Sequence, residues 1–201
     1  EPVQLRVPGL TAPSEKVWTI DAYVEWLKSE LKSEELPVVM GHSNGGRIAM
    51  AYENKYPGMI GKLILLDSAG VPNRSFMSRS KLYLLRLVSK LGKPLTKIPG
   101  LKKIAYKVIG AEDYNNARPN MKQTMANMLK SDKSIDHAAV TVPTTIIWGT
   151  DDATTPLSDG KYLEKMIDQA ELFSIYAARH SPQATHPKEV VDIVVREVGR
   201  L

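Results

Sequence analysis

Cysteine is absent from the 201-residue chain, which removes both a disulfide framework and a thiolate zinc site. Long apolar runs are also missing: none comes near the roughly 20 residues that a membrane-spanning helix needs. The first residues, Glu1-Pro2-Val3-Gln4-Leu5-Arg6, lack the apolar stretch of a signal peptide, so a soluble, cytoplasmic chain is expected. Histidine is scarce, and none of the four carries the H-E-x-x-H spacing of a zinc-binding helix; no metal and no cofactor are expected. Acidic residues are missing from one long stretch. Between Pro72 and Lys107 there are ten lysines and arginines and no Asp or Glu, while the whole chain has a net charge of only +5. Such a block can attract an anionic surface or ligand, and it is equally the solvated face of helices. Nucleic acid is not expected as a partner.

What is present is enough for one substantial core, since 43% of the residues are apolar. Val3 to Val7 alternates apolar and polar side chains and stops at Pro8-Gly9, the pattern of a short strand. Ile20, Val24, Leu27 and Leu31 recur at helical spacing behind a Thr19 cap, and Leu36 to Met40 is an apolar run. Ile48, Ala49, Ala51 and Tyr52 predict a helix that Pro57-Gly58 ends, and Leu63 to Leu66 predicts a buried strand. The middle changes character. Leu84, Leu87, Val88 and Leu91, then Leu101, Ile104, Ala105, Val108 and Ile109, then Met121, Met125 and Met128 give three helical patterns with no strand between them. Alternation resumes with the strand Thr144 to Trp148, a helix around Leu163, the strand Leu172 to Tyr176 and a last helix carrying Val190, Ile193 and Val194. This order predicts an α/β chain whose mostly parallel sheet has helices on both faces, with a helical insertion. The expected division is core over residues 1–71, helical cap over 72–140, and core again over 141–201.

Gly41-His42-Ser43-Asn44-Gly45-Gly46 lies between the apolar strand ending at Met40 and the helix beginning near Arg47. A serine hydroxyl attacks a carbonyl only if it projects from the scaffold, and a sharp strand-to-helix turn achieves this at some cost in backbone strain. Small residues two before and two after the serine avoid clashes, and Gly41 and Gly45 hold those positions. Ser43 is therefore the candidate nucleophile. The Asn44 N–H, at the positive end of the following helix, is the candidate oxyanion donor.

The segment Val38 to Tyr56 resembles the nucleophile elbow of the α/β-hydrolase superfamily, whose members often carry G-H-S-x-G-G. The likeness extends through Ile147-Trp148-Gly149-Thr150-Asp151-Asp152-Ala153-Thr154-Thr155-Pro156, which is similar to the family's acid segment. Aligned on Trp148-Gly149 and Pro156, the orienting carboxylate falls on Asp152, with Asp151 and Asp67 as rivals. Ala178-Arg179-His180-Ser181-Pro182 resembles the histidine loop, which implies that His180 is the general base. The order Ser43, Asp152, His180 suits this fold and differs from the chymotrypsin and subtilisin orders. His186 is expected to be structural, His42 to pack beneath the elbow, and His137 has no evident role.

The resemblance implies hydrolysis of a carboxylic ester or similar small acyl substrate through an acyl-Ser43 intermediate. A carbon-carbon bond hydrolase or a small-peptide aminopeptidase would use the same triad, and a ligand-binding remnant of the fold is the non-enzymatic alternative. The family also takes a second oxyanion amide from a loop that would precede Glu1, so N-terminal strands are expected to be missing from these 201 residues.

Overall fold

The computed structural model describes residues 2–31, 36–72 and 118–200. Most of the expected cap, including its basic block and its first two helical patterns, lies outside the described residues. The chain divides into a larger unit, Glu1–Val71 with Thr124–Leu201, and a smaller one, Pro72–Gln123.

In the larger unit, β1 (Val38–His42), β2 (Lys62–Leu66), β3 (Thr144–Gly149) and β4 (Ala170–Ile175) form a four-stranded sheet. Every neighbouring pair is parallel, and the order in space follows the order in the chain. Parallel pairing needs crossovers, which helices supply: α1 (Ile20–Glu30) and α2 (Asn44–Lys55) flank β1, α3 (Pro119–Ser131) precedes β3, and α4 (Leu157–Met166) joins β3 to β4. A four-residue α5 (Pro182–Thr185) and the final α6 (Pro187–Val198) complete the chain.

All five residues of β2 and all six of β3 are buried, which explains their continuous apolar runs. Alternate side chains enter two cores. Leu63, Leu65, Ile146 and Trp148 pack with Tyr23, Val24 and Leu27 of α1, Ile48 and Tyr52 of α2, and Leu163 of α4. Ile64, Leu66 and Ile147 pack on the other face with Ile175 and with Val190 of α6. Each fully buried Leu, Ile or Val contributes about 1.5–3 kcal/mol relative to exposure, so the two faces together fix the register of β2.

Helix ends follow their local chemistry. Thr19 Oγ1 accepts the Ala22 N–H at 3.2 Å and caps α1 as its sequence predicts. Gly160, on α4, lets that helix approach Trp148, because a Cβ there would sit 2.8 Å from the indole ring.

One expected strand is not formed. Val3 to Val7 pairs with no strand among the described residues, and Val3 is 79% exposed. The Val7 carbonyl instead accepts turn bonds from Leu10, Thr11 and Ala12 at 3.1, 2.9 and 3.0 Å. Alternation of side chains marks a backbone suited to a ladder, but a strand exists only where a neighbour supplies the hydrogen bonds.

The β1-to-α2 turn also corrects the glycine assignment. A Cβ on Gly41 would lie 2.4 Å from the Gly46 nitrogen, and one on Gly46 would lie 2.1 Å from Ser68 Oγ. A Cβ on Gly45 would meet nothing within 4 Å. The close approach is therefore between Gly41, Gly46 and Ser68, and Gly45 is sterically open. Gly41→Ala and Gly46→Ala should each lower stability by at least about 2 kcal/mol in urea titrations, from overpacking. Gly45→Ala should be neutral or stabilising by up to about 1 kcal/mol. Equal losses at positions 45 and 46 would refute this reading of the turn.

Candidate active site

Because all four strands run the same way, their C-terminal ends share one edge of the sheet, where side chains from four successive loops can converge. Ser43 follows β1, Asp67 follows β2, Asp152 follows β3 and His180 follows β4.

Ser43 has φ 52° and ψ −116°, a conformation that an L residue adopts only when its surroundings impose it. Three contacts impose it here. Ser43 N–H donates to the Leu66 carbonyl at 3.1 Å, and the Ser43 carbonyl accepts from Gly46 N–H at 3.1 Å and Ala69 N–H at 2.9 Å. The strained turn is thus bonded to both the end of β2 and the first turn of α2. Asn44 opens that helix, where geometry leaves the first amides without an intrahelical acceptor.

The structure brings Ser43, His180 and Asp152 together. His180 Nε2 lies 3.0 Å from Ser43 Oγ, and His180 Nδ1 lies 2.7 Å from Asp152 Oδ2. The Asp152 side chain is fully buried, whereas the His180 side chain is 24% exposed. Burial pushes the Asp152 carboxyl up, but hydrogen bonds from His180, the Thr155 hydroxyl and the Thr154 and Thr155 amides outweigh it and hold the group below the usual carboxylate range. Those amides reach Asp152 Oδ1 at 2.7 and 3.1 Å, an Asx-type turn that fixes the carboxylate on its own loop.

The loop carrying His180 is clamped to the end of β3. Asp151 N–H donates to the Ala178 carbonyl at 2.9 Å, and Ala177 N–H donates to Thr150 Oγ1 at 2.9 Å. Gly149 permits this approach, since a Cβ there would sit 2.3 Å from the Ala178 oxygen. His42 supports the same loop from β1, its Nε2 lying 2.6 Å from the His180 carbonyl oxygen. Burial holds the His42 imidazole below the usual histidine range, in its neutral form, against the pull of that bond.

The two rival carboxylates are placed differently. Asp151 is exposed, and its Oδ1 accepts from Thr150 Oγ1 at 3.1 Å. Asp67 is fully buried with φ 40°, and its Oδ1 accepts the Gly149 N–H at 2.8 Å while Oδ2 has no partner. Its donor atom lies within 4.8 Å of donor atoms of His42 and His180, a grouping that could in principle hold a metal ion. Both ring nitrogens of His180 and Nε2 of His42 are already engaged, so the trio presents few open ligand positions.

Sequence reasoning missed several contributors. Arg47 is buried and donates from Nε to Asp132 Oδ1 at 2.7 Å and also to the Asn44 side-chain oxygen. No local pattern pairs residues 85 positions apart. His137 is buried, with Nε2 3.1 Å from the Gly70 carbonyl and its ring edge-on to Tyr162. His186 precedes α6 without a side-chain capping bond, and its Nδ1 lies 2.8 Å from Thr185 Oγ1. A cavity of about 650 Å³ beside β4 and α6 is lined by Tyr176, His186, Glu189 and Asp192 and contains none of Ser43, Asp152 and His180.

Burial raises the Asp67 carboxyl to about 6, opposed by the Gly149 amide and reinforced by the charge of Asp152. The folded state therefore holds this proton to higher pH than the unfolded chain does, so its ionisation opposes folding above about pH 6, and this penalty disappears as pH falls through 4. Asp67→Asn keeps an acceptor for Gly149 and removes the charge. It should be more stable than the parent at pH 8 by on the order of 2 kcal/mol, with the difference vanishing near pH 4. A variant less stable than the parent at pH 8 would show the charge to be favourable.

The model of the Alpha/beta hydrolase family matches residues 5–193. The chain is 26% identical to Lipase 3 of Moraxella sp. (strain TA144) over 172 aligned positions, covering 77% of this chain and 53% of that protein. It is 28% identical to a 2-hydroxy-6-oxononadienedioate/2-hydroxy-6-oxononatrienedioate hydrolase of Pseudomonas sp. over 177 positions, covering 81% and 62%. The chain thus spans between 53% and 62% of the length of these two relatives. Its fold superimposes on a thermophilic esterase from Thermogutta terrifontis with a TM-score of 0.63 at 21% identity, over 98% of this chain and 78% of that one. The match along nearly the whole sequence, together with the parallel sheet and its flanking helices, establishes that the chain belongs to the alpha/beta hydrolase family.

Proposed function

We propose that the chain carries the reaction centre of a serine hydrolase that cleaves a carboxylic ester or a similar small acyl compound. The observation that carries this reading is the continuous relay from Ser43 Oγ to His180 Nε2 at 3.0 Å and from His180 Nδ1 to Asp152 Oδ2 at 2.7 Å. Ser43 Oγ attacks the acyl carbon as its proton passes to His180 Nε2. The oxyanion that forms is met by the Asn44 N–H at the start of α2. His180 then gives the proton to the departing alcohol, which leaves an ester on Ser43. Water enters, loses a proton to His180 and releases the acid, and the proton returns to Ser43. Asp152 stays ionised throughout and holds the imidazole with its hydrogen on Nδ1.

The similarity to Lipase 3 supports an ester substrate. A second reading, carbon-carbon bond hydrolysis with the same residues, is supported by the similarity to the Pseudomonas hydrolase. Residues 72–140, with their helical patterns, are proposed as a cap that selects the substrate, and their basic block would favour anionic substrates or surfaces.

A fluorophosphonate probe should label the protein at Ser43, and Ser43→Ala should abolish labelling; persistent labelling of that variant would overturn the assignment. His180→Ala should lose at least about three orders of magnitude in turnover of a p-nitrophenyl ester, and Asp152→Asn should lose far more than Asp151→Asn or Asp67→Asn. Turnover of a 2-hydroxy-6-oxo-dienoate with no turnover of esters would select the second reading.

A further inference from the structure

The Thr155 side chain lies within hydrogen-bond distance of both partners of the acid–base pair. Its Oγ1 lies 2.6 Å from Asp152 Oδ2, 3.2 Å from His180 Nδ1 and 3.2 Å from the Asp67 carbonyl oxygen. A hydroxyl has one proton to donate, and the Asp152 carboxylate and the Asp67 carbonyl compete for it. The shortest contact is in the range of charge-assisted O–H···O⁻ bonds, so the proton goes to Asp152. The Thr155 backbone holds the residue beside the carboxylate: its N–H donates to Asp152 Oδ1 at 3.1 Å and its carbonyl accepts the Trp148 Nε1–H at 2.8 Å.

From this geometry we infer that the Thr155 hydroxyl is a positioning group for the relay, which fixes the plane of the Asp152 carboxylate and the tautomer of His180. This inference rests on the serine-hydrolase reading above. Asp152 Oδ1 is pinned by two amides, whereas among the described residues Oδ2 is held by Thr155 and by His180, the very ring it must orient. Without the hydroxyl, Oδ2 keeps its bond to His180 but loses the partner that is fixed on its own loop, so the carboxylate plane follows the ring it must orient. The tautomer follows from the same proton count. With the Thr155 hydroxyl hydrogen directed at Asp152 Oδ2, the lone pairs of Oγ1 face His180 Nδ1, and a hydrogen on that nitrogen avoids repulsion. Nε2 is then left unprotonated and able to receive the Ser43 proton.

Thr155→Ala and Thr155→Ser separate the hydroxyl from the methyl group. On a p-nitrophenyl ester, Thr155→Ala should lower kcat about tenfold with KM unchanged, the loss expected when one hydrogen bond to an ionised group leaves the transition state. Thr155→Ser should stay within about twofold of the parent. The acid limb of the kcat/KM profile should move to higher pH in Thr155→Ala alone, because a carboxylate relieved of one donor binds the imidazolium more strongly. The other titratable groups near the pair, Asp67 from β2, His42 from β1 and Asp159 from α4, are the same in parent and variants. Thermal melting of both variants checks that they fold. If the parent reacts with a fluorophosphonate and Thr155→Ala keeps the parent kcat and pH profile, the inference fails while the serine-hydrolase reading stands. Equal losses in Thr155→Ser and Thr155→Ala would trace the effect to the methyl group and also overturn it. A parent that does not react at Ser43 would instead remove the reading on which both rest.

Discussion

The turn at Ser43 is the constraint on which the rest of the site depends. A residue at φ 52° is uphill for an L amino acid, and it persists only because neighbours over-determine it. Ser43 is bonded through its own N–H and carbonyl to Leu66, Gly46 and Ala69, and the Gly41–Gly46 approach leaves no room for a Cβ. The parallel pairing of β1 with β2 brings Leu66 beside the turn, so the sheet itself holds the hydroxyl in place. Strain at one residue is thereby distributed over two strands and a helix.

A second set of contacts brings the acid and base loops to that hydroxyl. The β3–β4 pairing ends at Gly149 opposite Ile175, and the two loops beyond it bond to one another through Asp151, Ala178, Thr150 and Ala177. Trp148 reaches across to the Thr155 carbonyl, which links the core to the acid loop. Packing and chemistry therefore share residues. Trp148 is both a fully buried core side chain and an anchor for the loop carrying Asp152 and Thr155.

Environment separates the carboxylates at this edge. Asp152 gathers four hydrogen bonds that stabilise its charge, whereas Asp67 receives one amide and leaves an oxygen unpartnered. Asp159, in the first turn of α4, is also raised to about 6, first by burial and then by the charges of Asp152 and Asp132. Residues of one type at one end of a sheet thus differ in charge near pH 6 through hydrogen bonding and burial, which composition alone does not reveal.

The sequence by itself determined the types of the strands and helices around the candidate site and the chain order of its residues. The fully apolar run Leu63 to Leu66 reads as a buried strand because both faces of a parallel strand are covered, and Thr19 marks the start of α1 because its side chain caps it. The glycines around Ser43 were legible because a sharp strand-to-helix turn needs small residues, and the loops carrying Asp152 and His180 were legible through their resemblance to the acid and histidine segments of α/β-hydrolases. Tertiary structure decided what local pattern cannot express. Val3 to Val7 alternates like a strand but lacks a ladder partner among the described residues, and a strand is a property of a pair. Gly46, and not Gly45, meets Ser68 because the close contact depends on how β2 passes α2. The choice of Asp152 over Asp67 beside His180, the pairing of Arg47 with Asp132 and the reach of Thr155 to both members of the relay all join residues far apart in the chain. Their distances are set by the packing of the sheet and its loops, and no spacing along the sequence encodes them.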